Sequence, residues 1–104
     1  MNDPDPEIHQ PTRLRIMMLL SALKSADFTF LVKTLGLTDG NLSAHMQRLE
    51  SAGHVKVMKE FEGKVPRTSF RLTPSGRSSL AAYWKTMDAI RSAPGPSPPR
   101  GSRG

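Results

Sequence analysis

The sequence predicts a mainly α-helical fold with one small β-hairpin: three helices, two strands and a fourth helix, in that order. Three observations carry this. Apolar residues recur at helical spacing in three separate stretches of the 104 residues. The period changes to two in a single region, between Val55 and Leu72. Gly36 and Gly53 stand where the second and third helices should stop, so only Gly36-Leu37-Thr38 separates those two helices.

Met1 to Gln10 holds two Asp-Pro pairs and no apolar period, so residues 1–10 read as a flexible lead-in. Pro11 and Thr12 open the first helix, which runs to about Lys24. Its apolar stripe is Ile16, Leu19, Leu20 and Leu23, with Arg13 and Arg15 on the wetter side. Asp27-Phe28-Thr29 is a short extended bridge, and Thr29 caps a second helix from Phe30 to Leu35. Thr38 caps a third helix reaching about Ala52. Val55 and Val57 alternate with Lys56 and Met58, and Phe70 and Leu72 with Ser69 and Arg71, which makes two antiparallel strands joined through Glu62-Gly63-Lys64-Val65-Pro66. Thr73 and Pro74 begin the fourth helix, which carries Leu80, Tyr83, Trp84, Met87 and Ile90 on one stripe to about Arg91. Residues 92–104 are, apart from Ala93, Pro, Gly, Ser and Arg and are expected to be disordered, leaving one domain over residues 11–91.

Composition narrows the partners. Fifteen Lys and Arg against nine Asp and Glu give a net charge of +6. Asp3, Asp5 and Glu7 all lie in the lead-in, so the folded part is more basic still and favours a polyanion, nucleic acid first. The chain has no Cys, which removes disulfides, thiol catalysis and thiolate metal sites. The longest apolar run, Ile16 to Leu20, is far below the roughly 20 residues a membrane span needs. No signal segment opens the chain, so a cytoplasmic protein with no membrane partner is expected.

The order of elements is that of a winged helix-turn-helix, in which the helix after the short turn enters the DNA major groove. At 100° per residue the third helix turns Leu42, Met46 and Leu49 inward, with His45 and Ala52 beside them. Gly40, Ala44, Gln47 and Ser51 lie on the opposite face, flanked by Asn41, Ser43 and Arg48. Small residues near the start, Gly40, Ser43 and Ala44, let the helix press into a groove. Gln and Asn can pair with adenine and Arg with guanine, while Thr38, Ser43 and backbone amides suit phosphate oxygens. On the hairpin, Lys56, Lys59, Lys64, Arg67 and Arg71 outnumber Glu60 and Glu62 and form a basic wing able to grip phosphates. A lysine-rich edge also resists aggregation, so both readings of that charge stay open.

Several motifs together carry a family resemblance: Pro11-Thr12-Arg13-Leu14-Arg15-Ile16, Leu37-Thr38-Asp39-Gly40-Asn41-Leu42-Ser43, His45, Leu49-Glu50, Ala52-Gly53, Phe61-Glu62-Gly63, Pro66-Arg67-Thr68 and Leu72-Thr73-Pro74-Ser75-Gly76-Arg77. From His9 to Ile90 the chain resembles the small stand-alone winged-helix regulators related to the MarR and ArsR groups. The resemblance implies a homodimeric, sequence-specific regulator of transcription, with the third helix as reader and the hairpin as wing. Two positions depart from that pattern: Ala44 stands where a basic side chain is expected, and Lys64 where arginine is frequent, which keeps charge but loses the guanidinium fork.

A double-stranded DNA-binding regulator, a homodimeric repressor, is therefore the expected function. Its reader is helix 39–52, its wing 59–71, and its DNA contacts Thr38, Gly40, Asn41, Ser43, Ala44, Gln47, Arg48, Lys64, Arg67 and Arg71. Tyr83, Trp84, Met87 and Ile90 are the expected dimer contacts, although Leu80 and Trp84 would also serve to close the monomer core over the first helix. No nucleophile with a base and no phosphate loop appears, so no enzyme is expected. His9, His45 and His54 are too scattered for a metal, and no cofactor is expected. The alternative is a winged-helix module that docks an acidic protein without reading DNA sequence.

Overall fold

The computed structural model describes residues 3–93. Its elements are α1 (Pro11–Ala22), β1 (Ala26–Asp27), α2 (Phe28–Leu35), α3 (Asp39–Ser51), β2 (Val55–Glu62), β3 (Val65–Leu72) and α4 (Pro74–Ser92). The expected disorder of residues 94–104 lies outside the described residues, while Ser92 ends α4. None of the described helices is long and apolar enough to cross a membrane.

Each helix begins on a side-chain cap that satisfies a free backbone amide. Gln10 accepts from the Arg13 amide at 2.7 Å, Asp27 from Phe30 at 2.7 Å, Thr38 from Asn41 at 3.1 Å and Thr73 from Gly76 at 2.8 Å. Thr38 and Thr73 cap where the sequence predicts. α2 starts earlier than expected, because Asp27 is a stronger cap than Thr29 and draws Phe28 and Thr29 into the first turn. Gly36 ends α2 at φ 66°, in the left-handed region.

The core gathers Ile16, Met17, Leu20, Leu31, Leu42, Leu49, Val55, Phe70, Leu72 and Leu80 between the helices and one face of the sheet. On α1 the buried stripe is Arg13, Ile16, Met17 and Leu20, one turn N-terminal to the expected stripe; Leu19 and Leu23 are half-buried at its margin. Arg13, expected on the wet side, is only 8% exposed. Its guanidinium is buried because it is paired: Nε donates to the Glu7 carbonyl at 2.7 Å, and Nη2 donates to the Pro6 carbonyl at 3.4 Å. Nη1 donates to His45 Nδ1 at 3.3 Å.

Those carbonyls belong to the segment expected to be a flexible lead-in, and from Asp3 to Gln10 that expectation is corrected. Ile8 is fully buried, which is worth roughly 1.5–3 kcal/mol. The amides of Ile8 and His9 donate to the Asp5 carbonyl, and His9 Nδ1 lies 2.9 Å from the Tyr83 hydroxyl of α4. The Asp-Pro pairs do exclude helix, but a non-helical segment can still be fixed by one apolar anchor and a buried arginine.

The sheet is antiparallel in the order β1-β3-β2. The hairpin register runs from Val55 opposite Leu72 to Glu62 opposite Val65, so the loop is only Gly63-Lys64 and not the five residues expected. Gly63 has φ 66° and Lys64 does not share that sign, the pattern of a type II′ turn, which matches the twist of the strands. Pro66 is thereby drawn into β3, opposite Phe61.

Candidate nucleic-acid interface

α3 follows α2 after the Gly36-Leu37-Thr38 turn and buries Leu42, Met46 and Leu49, as its period requires. On the opposite face Gly40, Asn41, Ser43, Ala44, Gln47, Arg48 and Ser51 are all exposed. Ala52, expected beside the buried residues, is exposed instead, because it is the C-cap and the chain there is already leaving the helix. The N-terminal half of the outer face carries no side chain larger than Asn41, so the helix axis can come close to another surface. Thr38 is exposed at the helix start, with its hydroxyl occupied by the Asn41 amide.

Arg48 is not a free side chain. Its Nε and Nη2 donate to Glu7 Oε1 and Oε2, both at 3.1 Å. The guanidinium holds the Glu7 carboxyl below its ordinary value, chiefly through that hydrogen bonding. The N-terminal segment thus runs along α3, and an open cleft of about 680 Å³ lies between them, lined by Glu7, Ala44, Gln47, Arg48, Ser51 and Ala52. The small Ala44 side chain, where a basic group was expected, leaves this cleft open.

The wing meets α3 through the face set by strand alternation. Val57 and Phe70 point to the core, and the next residues on that face, Lys59 and Thr68, share a recess of about 340 Å³ with Ser43 and Gln47. Lys59 therefore stands nearer the outer face of α3 than any of the three wing residues expected to contact DNA. Its position was legible in principle, since counting by twos from Val55 and Val57 leads to it. Lys64 is exposed at the turn, beside Phe61 and Val65, which are 74% and 59% exposed.

Arg67 and Arg71 are placed differently from the expectation. Arg67 is clasped by two carboxylates, Glu62 Oε2 at 2.7 Å from Nε and Asp27 Oδ2 at 3.2 Å from Nη1. Asp27 also caps α2, so Arg67 ties the wing to that helix start. Arg71 points from the other side of β3 and borders a recess with Lys24 and Arg77, apart from the α3 cleft.

On α4 the expected dimer stripe divides. Tyr83 is 4% exposed, covered by its own chain and engaged by His9, which removes it from the list of free contacts. Trp84 and Ile90 are 40% and 41% exposed, and Met87 is half-buried. Trp84 packs edge-on to Tyr83 with ring centroids 5.3 Å apart. Among the described residues no group of three or more His, Asp or Glu side chains is gathered to hold a metal.

A tri-helical core with helix-turn-helix geometry and a two-stranded hairpin between the third and fourth helices defines a winged helix protein. The family model described as "winged helix DNA-binding domain" matches residues 12–90, and the chain belongs to that family. It is 38% identical over 72 residues to an uncharacterized protein of Methanocaldococcus jannaschii, covering 68% of this chain and 77% of that one. Among solved structures it is similar to a transcriptional regulator homologue from Pyrococcus horikoshii, with TM-score 0.77 and 33% identity over 82% of this chain and 84% of that one. A regulator of the MarR family from Enterococcus faecalis aligns with TM-score 0.66 and 25% identity, covering 84% of this chain and 83% of that one. The fold is that of MarR-type transcriptional regulators, in line with the resemblance read from the motifs.

Proposed function

We propose that the protein is a sequence-specific regulator of transcription that binds double-stranded DNA as a homodimeric repressor, reading the major groove with α3. The observation that carries this reading is the exposed α3 face, in which Gly40, Ser43 and Ala44 permit close approach while Asn41, Gln47 and Arg48 offer hydrogen-bonding groups to base edges. Lys59, beside α3, and Lys64, at the tip of the wing, hold phosphates. Arg67 serves as a brace for the wing, because two carboxylates already engage it. Arg71 makes at most a peripheral phosphate contact. Trp84, Met87 and Ile90 form the dimer contact.

Base contacts and phosphate contacts separate in mutants. Gln47→Ala should relax preference at particular base pairs, whereas Lys59→Ala or Lys64→Ala should weaken all sequences alike and lower the salt dependence. Fluorescence anisotropy titrations on several duplexes over a range of salt check both. Loss of base preference from the lysine changes, with Gln47→Ala silent, would reverse the roles of helix and wing.

A further inference from the structure

We propose that Glu7 is a specificity-determining positioning residue, whose carboxylate holds the Arg48 guanidinium in the orientation from which it addresses a guanine. The inference rests on the DNA-reading role of α3. A guanidinium presents two paired edges, and Glu7 takes the side edge, Nε and Nη2, at 3.1 Å on each arm. Among the described residues the end-on pair, Nη1 with the second hydrogen of Nη2, has no partner. That fork has the spacing of the two major-groove acceptors of guanine, O6 and N7. The Arg48 side chain is 58% exposed against 29% for Glu7, so the arginine is the more accessible partner of the pair.

An acidic residue on a DNA-reading face could instead act as a removable shield, and the anchoring of its segment decides against that. Ile8, next in sequence, is fully buried; Arg13 grips the Glu7 and Pro6 carbonyls; Asp5 accepts from the Glu7 amide at 2.9 Å; and His9 is hydrogen-bonded to buried Tyr83. The segment itself cannot swing away unless Ile8 leaves the core, so release of Arg48 would need the Glu7 side chain to turn in place and give up both hydrogen bonds. A fixed partner preorganises Arg48, which then loses little freedom on contact. Its negative charge also disfavours a phosphate at the same place, which steers Arg48 toward a base edge.

The test uses the full chain and the duplex it prefers, found by selection from random sequences. Affinity is measured for that duplex and for single base-pair changes of it, with Glu7→Gln, Arg48→Ala, Arg48→Lys, the Glu7→Gln/Arg48→Ala double variant, and Glu50→Gln. The last removes a carboxylate from the same helix without touching Arg48. Glu7→Gln should lose about tenfold in discrimination at the same G·C pair as Arg48→Ala, with little change on non-cognate DNA. The double variant should discriminate no worse than Arg48→Ala, and Glu50→Gln should keep the preference. Arg48→Lys leaves the segment intact but lacks the fork, and should lose the same pair. A uniform gain in affinity from Glu7→Gln would establish a shield and overturn the proposal, as would unchanged discrimination. Wild-type protein that binds all duplexes equally would refute the DNA-reading role itself, a separate result.

Discussion

At the scale of single residues, the half-buried Arg13–His45 contact sets a pH response. Arginine only donates, so His45 Nδ1 accepts from it and the ring is neutral with its proton on Nε2. Burial, then the charges of Arg13 and Arg48, lowers the His45 pKa from its ordinary 6.5. With the folded value below the unfolded one, the unfolded chain takes up a proton first as pH falls. The stabilisation from neutral His45 is complete above about 6.5 and is lost progressively below it, until the folded value is passed. Chemical denaturation followed from pH 8 to 5 should show stability falling through this window, and His45→Gln should flatten the fall. An unchanged slope in His45→Gln would place the response on other groups. A structural role for His45 could be read from its place at the edge of the buried face, but its partner could not. Arg13 looks like a surface residue because type alone assigns Arg to water, and only the fold shows two carbonyls and an imidazole converging on it.

At the scale of elements, local chemistry decides most boundaries. The Thr38 and Thr73 caps, the Gly36 stop and the strand period all act within a few residues of themselves, and so they were legible. What acts across the chain was not: the N-terminal segment is ordered by Ile8, α3 and α4 together, and Arg67 is neutralised by Asp27, forty positions away. A long-range constraint also explains the glycine in Leu72-Thr73-Pro74-Ser75-Gly76-Arg77. A Cβ at Gly76 would overlap the backbone carbonyl of His54, which accepts from the Thr73 amide at 3.0 Å and joins the start of α4 to the end of α3. Gly76→Ala should therefore destabilise by about 1–3 kcal/mol, despite the better helix propensity of alanine. Urea denaturation measures it, and an alanine variant as stable as wild type would mean that α4 shifts freely. Ile8→Ala should cost about 2–5 kcal/mol in the same assay, a loss no flexible tail would produce.

At the scale of the whole molecule, charge and the α4 surface define how the protein meets its partners. The net charge of +6 and the wing lysines predict affinity that falls steeply as salt rises. Trp84 and Ile90, both about two-fifths exposed, with Met87 between them, predict an isologous dimer through α4. Sedimentation should give a wild-type dimer at tens of micromolar, and Met87→Glu a folded monomer that binds DNA more weakly; a wild-type monomer would remove the dimer and keep the fold. A two-fold dimer sets its α3 helices about 34 Å apart, one DNA turn, and calls for an inverted repeat. Selection of bound duplexes from a random pool at physiological salt tests this account most directly. It predicts enrichment of one inverted-repeat sequence with half-sites one turn apart. A pool retained without enrichment of any sequence would contradict it.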